Sequence, residues 1–229
     1  MGELLVIGGP TASGKTKAAI ALANYLKCPI LSADSRQFFR EMSIGTAKPD
    51  ADELAQATHY FINNKSIEED YSAGDFEREA IALLETLFVD HPYVVLVGGS
   101  GLYIDAVCKG MDELPKSAEL RENLNGIYQR EGLEVLQEEL KEKDPDYYAS
   151  CDNQNPVRVI RALELIRLTG KKMAAIFAQN AVQRNFTTRL IVLDVPRKEL
   201  YERINRRVDV MMDQGLLHEA MQLVPYKHK

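Results

Sequence analysis

Apolar residues in this chain come in short unbroken runs, separated by longer stretches with helical spacing. Residues 4–7, Ile30–Ser32, Tyr93–Val97 and residues 189–195 are brief and rich in branched side chains, the pattern of strands buried on both faces. Helical spacing recurs at Lys15–Leu26, residues 75–89, Gly101–Lys109 and Pro156–Thr169, with a further helix over residues 197–215. Such alternation predicts βαβ units, and therefore an α/β fold with a parallel sheet flanked by helices. From 114 to 150 the pattern changes. That stretch is charged, lacks a strand-like run and holds two amphipathic helical patterns between Pro115 and Pro145. The expected organisation is a core begun by residues 1–113, a helical insertion at 114–150, and a second part of the core at 151–229.

Composition narrows the class. The 229 residues are 45% hydrophobic and 27% charged, as in an ordinary globular protein, and no apolar run approaches the length of a bilayer span. The N-terminus goes straight into the first strand without a basic segment, which argues against a signal peptide. Cys28, Cys108 and Cys151 are widely spaced and form no C-x-x-C pair, so they read as reduced thiols of a cytoplasmic protein. A net charge of −6 argues against a surface coated in positive potential. Its distribution is uneven, however: residues 50–75 are acidic, whereas 158–172 and 184–207 carry an excess of Arg and Lys.

The first strand-to-helix connection carries the strongest chemical signal. Gly9-Pro-Thr-Ala-Ser-Gly-Lys-Thr16 is a complete G-x-x-x-x-G-K-[ST] phosphate loop in the strand–loop–helix context it requires. Gly9 and Gly14 let the backbone curl around Pro10, Thr11, Ala12 and Ser13, so that N–H groups converge on phosphate oxygens. Lys15 adds a full positive charge and Thr16 offers a hydroxyl to Mg²⁺. The fold expected is therefore P-loop NTPase-like, ATP-binding by motif; whose phosphate the loop holds is a separate question.

Three further segments bear on it. Ser32-Ala-Asp-Ser-Arg-Gln37 follows the second strand, where residues project into the ligand crevice of a parallel sheet. Asp34 is thus a candidate to accept a proton or to hold Mg²⁺ through water, and an Asx turn or helix cap at Asp34-Ser35 is the alternative local reading. The third strand runs into Gly98-Gly99-Ser100-Gly101 with no acid at its end, which counts against ATP hydrolysis. Ser100 can donate a hydrogen bond into the crevice, and Asp194 is a weaker candidate for a displaced acid. Arg158 and Arg161, three apart near a helix start, share a face suited to phosphates or a stacked base, or are simply solvated. Arg203, Arg206 and Arg207 raise the same question. Histidine is sparse, with no H-E-x-x-H grouping.

Taken together, the chain resembles the tRNA dimethylallyltransferase (isopentenyltransferase) family, most of all its bacterial members. The resemblance rests on the phosphate loop, Asp34-Ser-Arg-Gln37, Ile44-Gly-Thr-Ala-Lys-Pro49 and Tyr71-Ser-Ala-Gly-Asp-Phe76. It continues through Leu96-Val-Gly-Gly-Ser-Gly-Leu-Tyr103, Arg158-Val-Ile-Arg-Ala-Leu-Glu164 and Arg207-Val-Asp209 with Gly215-Leu. It implies transfer of a dimethylallyl group from dimethylallyl diphosphate to N6 of adenine 37 of tRNA. In that reading the loop and Arg207 bind the donor diphosphate, with Mg²⁺ on Thr16. Asp34 takes the N6 proton, and Lys15, Thr16 and Ser100 (commonly Thr in the family) complete the catalytic set.

The resemblance also implies that Asp34, Ser35, Arg36, Gln37 and Ser100 face the tRNA. Arg158 and Arg161 contact tRNA too, and Arg121 lies on an insertion that grips the anticodon stem. A cytoplasmic enzyme, expected monomeric and without a membrane, follows. Family members usually continue beyond the region matching residues 215–223, with a further Gly-Tyr motif, so a C-terminal family segment is expected to lie outside this chain. Without the resemblance, a small-molecule or nucleotide kinase fits the loop and sheet, and a nucleotide-gated binding module is a third reading. An adenylate-type isopentenyltransferase would share the loop and Asp34.

Overall fold

The structure, a computed structural model, describes residues 1–110, 114–178 and 183–227. Within them the chain divides into two compact units, Met1–Met111 with Gln183–Lys229, and Asp112–Val182.

The first unit is built on a five-stranded sheet in the order β3-β2-β4-β1-β5, with every pairing parallel. Its strands are β1 (Gly2–Gly8), β2 (Ile30–Ser32), β3 (His59–Tyr60), β4 (Tyr93–Val97) and β5 (Phe186–Val192). Alternation along β1 divides the core in two. Leu5 and Ile7 join Ile30 and Val95 against Ala19, Ile20 and Ala23 of α1 (Lys15–Leu26). Leu4 and Val6 join Leu31, Val94 and Leu96 against the opposite layer. That layer contains α3 (Ala73–Asp90), through Phe76, Ala80, Leu84 and Leu87, and α4 (Gly101–Lys109), through Val107. The parallel α/β sheet flanked by helices is thus borne out, and each buried strand face has its own helical cover.

Local sequence explains the boundaries of most elements. A capping box between Ser72 and Asp75 starts α3, and another between Asp50 and Glu53 starts α2 (Ala51–Gln56). Three strands differ from the pattern read along the chain, the first being β1, which extends beyond residues 4–7 to Gly2–Gly8. The dipeptide β3 carries no periodicity to detect, and β5 begins at Phe186 rather than 189 because Gly2 of β1 pairs with Phe186. The unit closes with α10 (Arg197–Asp213) and α11 (Leu216–Leu223). The helix expected over 197–215 stops at Asp213, and Gly215, with φ +100°, marks the turn into α11.

The second unit is helical. It comprises α5 (Ala118–Glu131), α6 (Leu133–Lys143), α7 (Pro145–Ser150), α8 (Pro156–Thr169) and α9 (Met173–Ala178). Here the expected boundary at 150 needs correction. Val159, Leu163 and Ile166 of α8 pack on Leu124, Leu136 and Leu140, with Met173 and Ile176 of α9 in the same cluster. Residues 151–178 therefore belong with the helices that precede them, because α8 buries its apolar face there. Asp144 ties the ends together by accepting from the Tyr147 amide at 3.2 Å and the Met173 amide at 2.7 Å.

Candidate active site

In the strand order, β1 sends its connection toward β2 while β4 sends its own toward β5. Such a reversal opens a crevice at the carboxyl ends of β1 and β4. The phosphate loop follows β1, the Gly98–Ser100 turn follows β4, and Asp34 follows β2. A cavity of about 290 Å³ collects them, lined by the loop from Thr11 to Thr16 with Asp34, Gln37, Gly98, Gly99 and Arg207.

The loop is shaped to receive an anion. Gly9 (φ +151°), Ala12 (φ +64°) and Gly14 (φ +91°) turn the backbone inward. At Gly9 a Cβ would meet Leu193 O and Ser13 Oγ at 3.0 Å. Gly14 opens α1 without a side-chain cap, leaving first-turn N–H groups for a ligand. Ser13 Oγ is buried with no hydrogen-bond partner among the described residues. An orphaned hydroxyl in a phosphate loop fits a phosphate oxygen. Lys15 Nζ lies 2.8 Å from both Gly9 O and Pro10 O. Burial, then the neighbouring Arg207 charge, lower its pKa from the ordinary lysine value, and Asp34 opposes them. Arg203, reaching Ala12 O at 3.5 Å, brings a second guanidinium to the loop.

Asp34 is fixed by backbone geometry. The Ala33 amide donates to Val97 O at 2.7 Å, and a Cβ on Gly98 would sit 2.2 Å from Ala33 O. Only glycine lets the ends of β2 and β4 approach so closely. The Arg36 amide donates to Asp34 Oδ1 at 3.0 Å, so the local turn foreseen as an alternative is present as well, leaving Oδ2 toward Gly99. Ser100 Oγ accepts from the Ser35 amide at 3.0 Å and lies 3.2 Å from Ser35 Oγ; it secures the Asp34 segment.

The Gln37 carboxamide accepts from Ser32 Oγ at 3.0 Å and donates to Thr46 O and Ala47 O at 3.2 and 3.3 Å. It braces the 44–49 turn while lining the cavity. Asp194 is exposed and stands outside that lining.

In the helical unit, Arg121 and Arg161 converge on Glu164, whose side chain is fully buried. Glu164 Oε1 also accepts the Ser117 amide at 3.0 Å, and Arg161 reaches Pro115 O at 3.1 Å. Burial alone would raise the Glu164 pKa. The Arg121 hydrogen bonds, the Ser117 amide and Arg161 outweigh it and hold the carboxyl below its ordinary range. Sequence reading missed Glu164, although its spacing of three from Arg161 was the available signal. Arg158 is exposed, 3.8 Å from Asp152.

Among the described residues no group of three or more His, Cys, Asp or Glu side chains gathers as a metal centre, and no helix is long and apolar enough to cross a membrane. Thr16 lines the same cavity as the rest of the phosphate loop.

A phosphate loop facing a carboxylate across one crevice of a parallel sheet defines a P-loop-type group-transfer enzyme. Residues 37–229 match the family described as IPP transferase, and the chain belongs to that family of prenyl-transferring enzymes. It is 48% identical to the tRNA dimethylallyltransferase of Flavobacterium psychrophilum, over 99% of this chain and 76% of that protein. Identity to the tRNA dimethylallyltransferase of Christiangramia forsetii is 50%, over 98% and 74% of the two chains. Among solved structures, the tRNA isopentenylpyrophosphate transferase of Bacillus halodurans matches with a TM-score of 0.67 at 36% identity, covering 99% of this chain and 71% of that one. A eukaryotic dimethylallyltransferase acting on tRNA matches with a TM-score of 0.81 at 26% identity, covering 99% and 56%. The family match begins at Gln37, after the loop and Asp34, whereas these relatives align with nearly the whole chain.

Proposed function

We propose that this enzyme transfers a dimethylallyl group from dimethylallyl diphosphate to N6 of adenine 37 in tRNA and releases diphosphate. The observation that carries the reading is the shared cavity of Asp34 and the phosphate loop, a proton acceptor facing a cradle for a leaving group. The loop amides, Lys15, the Ser13 hydroxyl and Arg207 hold the donor diphosphate. As the allylic carbon–oxygen bond breaks, negative charge grows on the diphosphate, and these donors are already aimed at it. N6 of adenine forms the new carbon–nitrogen bond, and its proton passes to Asp34. Mg²⁺ bound to diphosphate oxygens and the Thr16 hydroxyl would add charge stabilisation there.

For chemistry on its exocyclic amine the base must leave its stack. Ser35, Arg36, Gln37 and Ser100 surround Asp34, so the acceptor approaches along them. In the helical unit, Arg158 is the most exposed of the three arginines proposed to contact tRNA, and Glu164 orients Arg121 and Arg161 beside it. The unit is our assignment for holding the anticodon stem. With tRNA as acceptor, we assign the enzyme to the cytoplasm and as a monomer.

The test is incubation with labelled dimethylallyl diphosphate and unmodified tRNA whose adenine 37 follows A36. Label in the tRNA is the expected result. Turnover of ATP with no label in tRNA would replace this reading with a kinase, and label in free AMP would replace tRNA as the acceptor.

A further inference from the structure

The turn that Gln37 braces is gripped from its other side by a carboxylate that sequence motifs pass over. Glu219 of α11 is buried, and its Oε2 accepts the amides of Ser43 and Ile44 at 2.9 and 2.8 Å. Its Oε1 accepts the amide of Gly45 at 2.9 Å. Three backbone donors on one carboxylate form an anion nest filled from within the chain. Burial would raise the Glu219 pKa, but the Gly45, Ile44 and Ser43 amides and the nearby Lys48 charge hold it below the ordinary value.

The turn itself is tight. The Ala47 amide donates to Ile44 O at 2.9 Å, Thr46 Oγ1 donates to Met42 O at 3.1 Å, and Ala47 adopts φ +45°. Its far end presents Thr46 O and Ala47 O to Gln37, whose carbonyl in turn accepts from Ser32 beside Asp34. A continuous path of hydrogen bonds thus runs from Glu219 to the strand end that carries Asp34. The same residues enclose space. A cavity of about 390 Å³ is lined by Asp34, Thr46, Arg207, Leu216, Glu219 and Leu223, so α11 forms a wall on the Asp34 side of the phosphate loop.

We propose that Glu219 is a positioning residue: by clamping the 43–45 amides it fixes the 44–47 turn, and through Gln37 it sets the acceptor side of the active site. No hydrogen bond above joins Glu219 to the phosphate loop, so acceptor binding is expected to depend on it far more than donor binding, which reaches it only through the shared wall residue Arg207. The inference rests on the prenyl-transfer reading for its kinetic consequence, and on geometry alone for its structural one.

Two measurements test it on the full chain. In Glu219→Gln an amide of nearly the same shape loses the charge and turns one N–H toward a backbone N–H. KM for tRNA is expected to rise about tenfold while KM for dimethylallyl diphosphate stays within about twofold. Combining Glu219→Gln with Gln37→Ala is expected to cost no more than the worse single change, because both break one path. Equal loss toward donor and acceptor, or multiplying losses in the double variant, overturns the proposal. Amide hydrogen exchange without substrate is the second measurement. Residues 37–48 are expected to exchange faster in Glu219→Gln while the 9–16 loop is unchanged. Unchanged exchange at 37–48 overturns the proposal even if the enzyme transfers prenyl groups. A wild-type protein that transfers none sinks the functional reading, and the exchange result still decides whether Glu219 holds the turn.

Discussion

Arg121 grips the buried carboxylate of Glu164 with two nitrogens at once, Nε at 3.2 Å and Nη2 at 2.7 Å from Oε2. Arg161 Nη1 meets the same oxygen at 2.8 Å. Two cations on one buried acid leave a residual positive charge at the start of α8, oriented rather than free to swing. Removing the acid strands both, so Glu164→Ala is expected to lose about 3 kcal/mol of stability. Denaturant unfolding of the variant beside wild type measures it, and a loss below about 1 kcal/mol would show the cluster to be dispensable.

The same cluster predicts an acid-sensitive contribution. A carboxyl held below its ordinary value stabilises the fold above the unfolded pKa, near 4.5, and that stability is lost as pH falls through the lowered folded value. The difference in melting temperature between wild type and Glu164→Gln is therefore expected to be constant near neutrality and to shrink below about pH 4.5. A difference that grows on acidification would contradict the assignment.

Asp34→Asn keeps the size and the acceptor oxygen for the Arg36 amide but removes the proton acceptor. Transfer is expected to fall about a thousandfold with donor binding largely retained. Equal loss of both, read by turnover and by equilibrium binding of the diphosphate, would demote Asp34 to a turn former.

Lys15→Met removes a charge from the cradle while leaving the loop backbone. Both donor affinity and the transfer step are expected to drop, the latter about a hundredfold. Single-turnover kinetics at saturating donor separate the two, and an unchanged transfer step would mean that Lys15 acts in binding alone.

Arg158 is the test of the nucleic-acid face. Arg158→Ala is expected to weaken tRNA binding and lower the salt slope of log K by about 1, with stability unchanged. An unaltered slope would place the tRNA elsewhere.

The legible parts of the sequence were those with local cause. Helix α8 was readable to the residue because Asn155 caps it, Pro156 opens it and Gly170 closes it in the left-handed region. The loop and Asp34 were readable because strand ends in a parallel sheet converge on one crevice. What escaped depends on partners distant in sequence. Glu219 meets its amides across more than 170 positions, and Glu164 meets Arg121 across 43. The grouping of α8 with the helices before it was equally hidden, since an apolar stripe announces burial without naming the partner. For Arg203 the sequence leaves phosphate contact and simple solvation both open, and only the course of α10 brings it to Ala12.

The glycine at 98 holds one more lesson. There the ends of β2 and β4 touch backbone to backbone, and no side chain decides their separation. The separation of these two strand ends, and with it the root of the Asp34 segment, is consequently a property of the scaffold, while the turn beyond it answers to Gln37 and Glu219. An engineer reshaping the acceptor side would therefore recarve Leu216, Leu223 or Met42, and leave Gly98 untouched.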